Sequence, residues 1–386
     1  MGGAEYIPAG GGTTFIGQTD TPSAYTGQGL RRPRVNDALT ALEFDYDGVD
    51  VINVEEARSD IRSTTRAGYS AFSSYAGLQA LVDAAGENKV FYFPANGIFD
   101  LGAGLNNRLK TKAIGQSLMS FGGGAEIKNG IIEINTRRCK LNNLRLTGAS
   151  NYGIDITDPS ALTAISGDPF QNWATFCRVR DVEIWDKVWG IYNNVASGLN
   201  RFYEVRTLNC TNGVYINHSD FAYDSGDTHF TECRISGSRI GGIAQGVGIH
   251  IVKHGGLALT DCKIMMHDIN LLLEPDYAAT LAAAYPPILG VYVTGCEFEN
   301  GGTWDIKVTA GAGVNPVDYP YWFKMTGGTV MKILLEKSYQ ATISTVLIQN
   351  ELRIENATTM CEIFGSPRYA ITGTGILNTH YKLWGF

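Results

Sequence analysis

Charge is scarce in this chain: 18% of its 386 residues are Asp, Glu, Lys or Arg, and the 31 basic against 38 acidic side chains leave a net charge of −7. That balance gives no overall electrostatic footprint for DNA or RNA, so no nucleic acid partner is expected. No stretch reaches about 18 uninterrupted apolar residues, which argues against membrane insertion. The opening MGGAEYIPAG has neither a basic segment nor an apolar core, so no signal peptide is expected, and Tyr6 stands where myristoylation needs Ser or Thr. The seven cysteines form no paired CxxC spacing, so no metal and no cofactor is expected. Nucleophile elbow, phosphate loop and HExxH motifs are also missing.

What is abundant is glycine, 46 residues, too many for a helical protein and suited to one with many bends. One short phrase recurs: LNNLRL from Leu141, VRDVEI from Val179, FYEVRT from Phe202, FTECRI from Phe230, LTDCKI from Leu259 and VTGCEF from Val293. Its third positions are Asn143, Asp181, Glu204, Glu232, Asp261 and Gly295, at steps of 38, 23, 28, 29 and 34 residues. Periods of this size mean stacked supersecondary units. The third position sits between residues that both want the interior, which places a tight, left-handed bend there. The following residues, Leu144, Val182, Val205, Cys233, Cys262 and Cys296, are expected to stack in the core about 4.8 Å apart.

A second phrase follows each copy: GIDI at Gly153, GIY at Gly190, GVYI at Gly213, GIHI at Gly248, DINL at Asp268 and DIKV at Asp305, with an earlier IIEI at Ile131. Apolar residues two apart are strand periodicity. Short strands and bends in each period make an all-β solenoid. A β-sandwich or barrel also has many short strands, but it predicts no register at the level of 20 to 40 residues. Ahead of the repeat, Leu78, Leu81, Val82 and Ala85 follow helical spacing, with Ser74 placed to cap the start and Gly86 the end, so a short amphipathic helix is expected to cover the open end of the solenoid.

On these phrases the chain resembles right-handed parallel β-helix proteins of the pectate-lyase-like group, and VFYFPANGIFDL from Val90 resembles the opening coil of their bacteriophage tailspike branch. A second likeness lies in Thr19, Asp20, Thr21, Pro22, Ser23, Tyr25, Thr26, Gly27, Leu42, Glu43 and Phe44, which are similar to a motif of phage tail fibres and spikes. The resemblance implies a virion-proximal attachment segment at 1–50, a linker and capping helix at 51–89, a β-helix of eight to ten coils at 90–326, and C-terminal strands, cap or subunit contact at 327–386. DGVDVINVEE from Asp47 only faintly echoes the signature that usually precedes such helices. The resemblance further implies a homotrimer in the phage tail, made in the host cytoplasm, that contacts other tail proteins and adheres to host surface polysaccharide. Two other readings stand beside this one, an active glycan hydrolase or lyase and a purely structural tail part.

Candidate chemistry lies on the outer surface. The outward residues of the second phrase, Glu133, Asp155, Tyr192, Tyr215, His250, Asn270 and Lys307, are expected to form a column, one per coil. Neighbouring loops add Trp185, Trp189, His218, Asp220, Tyr223, Asp224 and Asp227. Rings among carboxylates suit a sugar chain, whose faces stack and whose hydroxyls need partners, although Trp and Tyr also seal coil corners. The substrate-binding candidates are Trp185, Trp189, Tyr192, Tyr215, His218, Tyr223 and His250. Glycoside cleavage needs two carboxylates, so Glu133, Asp155, Asp220, Asp224 and Asp227 are the catalytic candidates. The insertions 157–173 and 274–287 account for the long steps and are expected at bends.

Overall fold

The computed structural model describes residues 32–35, 42–45, 51–57, 61, 75–102, 107–156, 174–194, 198–217, 227–275, 288–311, 320–338, 340–355, 360–364, 370–374 and 383–384. His218, Asp220, Tyr223 and Asp224, the insertion 157–173, the insertion 274–287 apart from Glu274 and Pro275, and the N-terminal motif up to Gly27 lie outside them.

The chain winds as a right-handed parallel β-helix with three sheets, each receiving one strand per turn. Coil 1 comprises Val90–Tyr92, Ile98–Asp100 and Arg108–Lys110, and coil 2 comprises Ser117–Met119, Ala125–Lys128 and Ile131–Glu133. In coils 3 and 4 the strands Lys140–Thr147 and Arg178–Trp185 bend from the first sheet into the second, and Ser150–Ile156 and Lys187–Asn193 lie in the third. Coil 5 is Arg201–Tyr203, Arg206–Cys210 and Asn212–Asn217, and coil 6 is Thr228–Thr231, Arg234–Gly237 and Val247–Lys253. Pairing between successive coils is parallel throughout this stack.

The bend between the first and second sheets is where the repeated phrase put it. Asn143, Asp181, Glu204, Glu232, Asp261 and Gly295 all have φ between 51° and 66°. The N–H of Glu232 donates to Thr260 O at 2.9 Å in the next coil, and that of Asp261 to Thr294 O at 2.9 Å, so each bend is tied to its neighbour. Leu144, Val182, Val205, Cys233, Cys262 and Cys296 are all at most 2% exposed and belong to one continuous core. At the start of the third sheet Gly153, Gly190, Gly213 and Gly248 form a second column. A Cβ on Gly213 stands 2.3 Å from Gly248 O and 2.2 Å from Ile235, so the backbones meet too closely there for any side chain.

The ladder does not end at residue 326. Tyr321–Thr326 and Thr329–Leu335 make a ninth coil, Gln340–Ser344 and Leu347–Ile354 a tenth, and Met360–Phe364, Ala370–Thr372 and Leu383–Trp384 pair onward in parallel. Gly327 and Thr345 take the same corner conformation, with φ of 66° and 54°.

At the other end the helix Tyr75–Ala84 buries Leu78, Leu81 and Val82 in the common core. Its last carbonyls are capped by a side chain from coil 2: buried Gln116 donates through Nε2 to Val82 O at 3.0 Å and Ala85 O at 2.9 Å. A small hairpin, Arg239–Ile240 with Ile243–Ala244, leaves coil 6 between its second and third sheets.

Candidate functional site

Outward positions of the third sheet fall in one row along the stack: Lys110, Glu133, Asp155, Tyr192, Tyr215, His250, Leu272 and Lys307 are consecutive register partners. Asn270 is not among them, which corrects its expected place; Leu272 occupies that position. Asn270 is fully buried, donating to Glu299 O at 3.1 Å and to Asp305 Oδ1 at 2.7 Å.

The row has two parts. At its N-terminal end Glu133 and Asp155 face outward yet are only 5% and 0% exposed, because coil 1 lays Arg108 over them. Arg108 bridges Glu133 at 3.0 Å and Asp155 more closely, and Lys110 reaches Glu133 at 3.2 Å. Burial works to lower the Arg108 pKa, but Asp155 and then Glu133 outweigh it and hold the guanidinium above its ordinary value. Enclosed and paired in this way, these two carboxylates form a structural clamp rather than an open acid and base.

The second part is aromatic. Tyr152 stacks on Tyr192 with centroids 4.5 Å apart, Tyr192 lies on Tyr215 at 4.9 Å and 9°, and His250 meets Tyr215 edge-on at 5.5 Å. Trp189 meets Tyr215 edge-on at 5.2 Å, and Arg108 stands 5.6 Å over Tyr152. Burial, followed by the neighbouring tyrosines and Asp155, pushes the Tyr192 phenol up to about 12. His250 Nε2 lies 3.5 Å from Glu274. The stacked rings of Tyr152, Tyr192 and Tyr215 cover one another's faces, so they present ring edges and hydroxyls outward, an edge for hydrogen bonding more than a platform for stacking. Trp185 is elsewhere, at the end of the second-sheet strand, donating to Glu183 at 3.4 Å. Asp227 is exposed at the corner leading into the first sheet, and its carbonyl accepts from Arg201 at 2.6 Å.

A groove that the sequence did not single out runs along the corner between the first and second sheets. It holds about 370 Å³, and Glu126, Arg145, Asp181, Glu183, Glu204 and Arg206 are among its walls. Glu183 pairs with Arg145 at 3.1 Å and Arg206 at 3.5 Å. A hydrogen bond that the Glu204 carboxyl donates to Asp181, reinforced by the charge of Asp181, raises Glu204 above the usual range. The phrase pointed to these positions as bends, and their acidity is the signal that could have marked them as a site. Among the described residues no cluster of His, Cys, Asp and Glu could hold a metal ion, and no helix is long and apolar enough to cross a membrane.

Similar structures decide the architecture. The chain winds like a phage tailspike. Over 96% of its length it superimposes on 70% of the tailspike protein of E. coli bacteriophage HK620 in complex with pentasaccharide, with a TM-score of 0.56 and 10% identity. A double mutant of that tailspike, also with pentasaccharide, gives a TM-score of 0.54 at 11% identity, covering 96% of this chain and 70% of the other. At such identity the shared property is the fold. No family model matches the sequence, and no curated protein does.

Proposed function

We propose that the chain is a phage tailspike or tail fibre that adheres to host surface polysaccharide along the side of its β-helix. The observation that carries this reading is the cluster of Tyr192, Tyr215 and His250 from the row with Tyr152 and Trp189 packed beside it, polar ring edges presented on successive coils of a rigid scaffold. A surface of this kind meets an extended, hydroxyl-rich polymer at several successive sugars, whereas a small apolar ligand needs an enclosed cavity. Its fold neighbour, the HK620 tailspike, was seen with a pentasaccharide, which supports the same ligand class here. Residues 1–50 serve in this reading as the virion-proximal attachment segment, and the chain assembles as a homotrimer on the virion.

Cleavage of the bound glycan is a second reading, favoured by one observation: Glu204 is held protonated more readily than an ordinary carboxyl beside Asp181 in the corner groove. A glycosidase needs one protonated and one ionised carboxyl across the bond.

An array of purified capsular and O-antigen polysaccharides tests the proposal. Specific binding is expected, weakened at least about tenfold by Tyr215→Ala with Trp189→Ala while the fold is kept, since both rings are only partly buried. Absence of binding to any glycan overturns the adhesin in favour of a structural tail part. New reducing ends separate hydrolase from binder, and light scattering showing a monomer of 41.9 kDa removes the trimer.

A further inference from the structure

The outer faces of the first and second sheets both carry charge in register. On the second sheet Glu126, Arg145, Glu183 and Arg206 alternate in sign, with Arg145 and Arg206 sharing Glu183, before Arg234 and Lys263 follow Arg206, and Lys263 pairs with Glu297 and Glu299. On the first sheet no acidic residue stands in the row. Lys140 is the register partner of Arg178, Arg178 of Arg201, and Arg201 of His229. Leu141, Val179 and Phe202 beside them point into the core, so the cations all point out. Four such positions span about 14 Å at the spacing of neighbouring strands. Lys140 and Arg178 are exposed, Arg138 is exposed at the adjoining corner, and none of these three makes an ion pair among the described residues. Arg201 spends its guanidinium on the carbonyls of Asn200 and Asp227, at 3.2 Å and 2.6 Å, which neutralise none of its charge. Burial and the charge of Arg201 lower the His229 pKa, with Asp227 opposing, so the field of the row is felt by its last member.

Like charges directly opposite on adjacent strands are destabilising; on the second sheet Glu183 and Glu297 close the two ends of the Arg206, Arg234 and Lys263 run, and on the first sheet no acid closes the row. The parallel row two residues on, Asn142, Arg180, Tyr203 and Thr231, adds an amide, a further guanidinium, a ring and a hydroxyl on the same face. Its Arg180 pairs with Asp181 at 3.2 Å, and the acidic corner of Asp181, Glu204 and Glu232 borders this second row, so the cationic edge is the one through Lys140 and Arg178. A row of cations beside hydrogen-bonding groups, opposed at its His229 end by Asp227, has the chemistry to hold a repeating anion.

We propose that the outer face of the first sheet, coils 3 to 6, is a second glycan-binding surface that takes an acidic, carboxylate-bearing polysaccharide. The identity of the polymer rests on the reading of the chain as a glycan-binding spike; the requirement for an anion rests on the charge row alone. The row spans several repeats of the scaffold, which fits a polymer with regularly spaced charges better than a single small anion.

The test is binding of the full-length protein to the same polysaccharide array and, as a defined probe, to polygalacturonate with dextran as the neutral control. The bound glycans are expected to be acidic, and binding to weaken as NaCl rises from about 0.05 M to about 0.5 M. Lys140→Gln with Arg178→Gln is expected to reduce that binding at least about tenfold while leaving the melting temperature equal or higher, because repulsion is relieved. Arg353→Gln, an exposed cation in the tenth coil, should leave binding unchanged. If the bound glycans are neutral, or the double variant binds acidic glycan undiminished, the second surface is refuted while the adhesin stands. If no glycan binds at all, both fall. Equal affinity for a DNA duplex would refute the glycan assignment in favour of a general polyanion surface.

Discussion

Two histidines sit where no proton can reach them without cost. His254 is 2% exposed and His267 is fully buried, and burial lowers each to about 4. The folded state therefore binds fewer protons than the unfolded chain between the ordinary histidine value of about 6.5 and about 4. Their contribution is fully present above about pH 6.5 and is lost as the pH falls through that window, on the order of a few kcal/mol for the pair. The melting temperature should fall as pH is lowered from about 7 to about 4, and His254→Gln with His267→Gln should flatten that slope. An unchanged slope in the double variant would show that other groups govern the acid response. The bends show what single residues made legible. Asn143 and Gly295 announce a left-handed conformation by type; Glu204 and Glu232 do not, and their φ of 53° and 54° follows from register with the others. Glu133 and Asp155 were legible as neighbours on adjacent coils and not as a buried clamp, because Arg108 and Lys110 arrive on Arg108–Lys110, the third strand of coil 1, which carries neither repeated phrase.

At the scale of elements, the corner of the coil made by Leu289–Thr294, Glu297–Glu299 and Trp304–Val308 is held by one carboxylate. Asp305 is 2% exposed and accepts from Asn270 Nδ2 at 2.7 Å, from Gly301 N at 3.0 Å, and from Met331 N and Lys332 N at 2.7 Å and 3.3 Å, so it joins three coils. Burial raises its pKa, and the donors oppose that shift. Asp305→Ala should cost about 3 kcal/mol or more, since it leaves buried N–H groups unpaired, and Asp305→Asn should recover part of it. Urea unfolding checks both; a loss under about 0.5 kcal/mol for the alanine variant would mean that the corner is held by packing instead. Asn270 belongs to this lock, and it escaped the sequence because MHDINLLL has an apolar run long enough to be read in either register two residues apart. The continuation beyond residue 326 escaped for a related reason. KMTGGTV and TISTVLI keep the corner at Gly327 and Thr345, but their neighbours no longer repeat the phrase.

For the molecule as a whole, a solenoid is held by contacts between neighbouring coils, so its stability is close to a sum over coils and interfaces. Register makes this testable. Thr228 is the partner of Leu257, Phe230 of Leu259 and Ile235 of Ile264, so residues 228–256 constitute one full turn. Deleting them joins Asp227 to Leu257 at the same corner and sets Leu259, Cys262 and Ile264 over the coil below, where Phe230, Cys233 and Ile235 had been. Inward residues stay inward and the bend at Asp261 falls above that at Glu204. The main loss is local: Phe202 gives up its partner Phe230, stacked at 4.5 Å, and meets Leu259 instead. The shortened protein should fold, keep its β-sheet circular dichroism and unfold in one transition at a lower temperature. A deletion of half that length, residues 228–241, feeds hairpin and third-sheet residues into the first sheet, breaks every inward column above it and should yield aggregated protein. If both deletions fold equally well, the columns do not govern the fold; if neither folds, the coils are not the separable units that their pairing indicates.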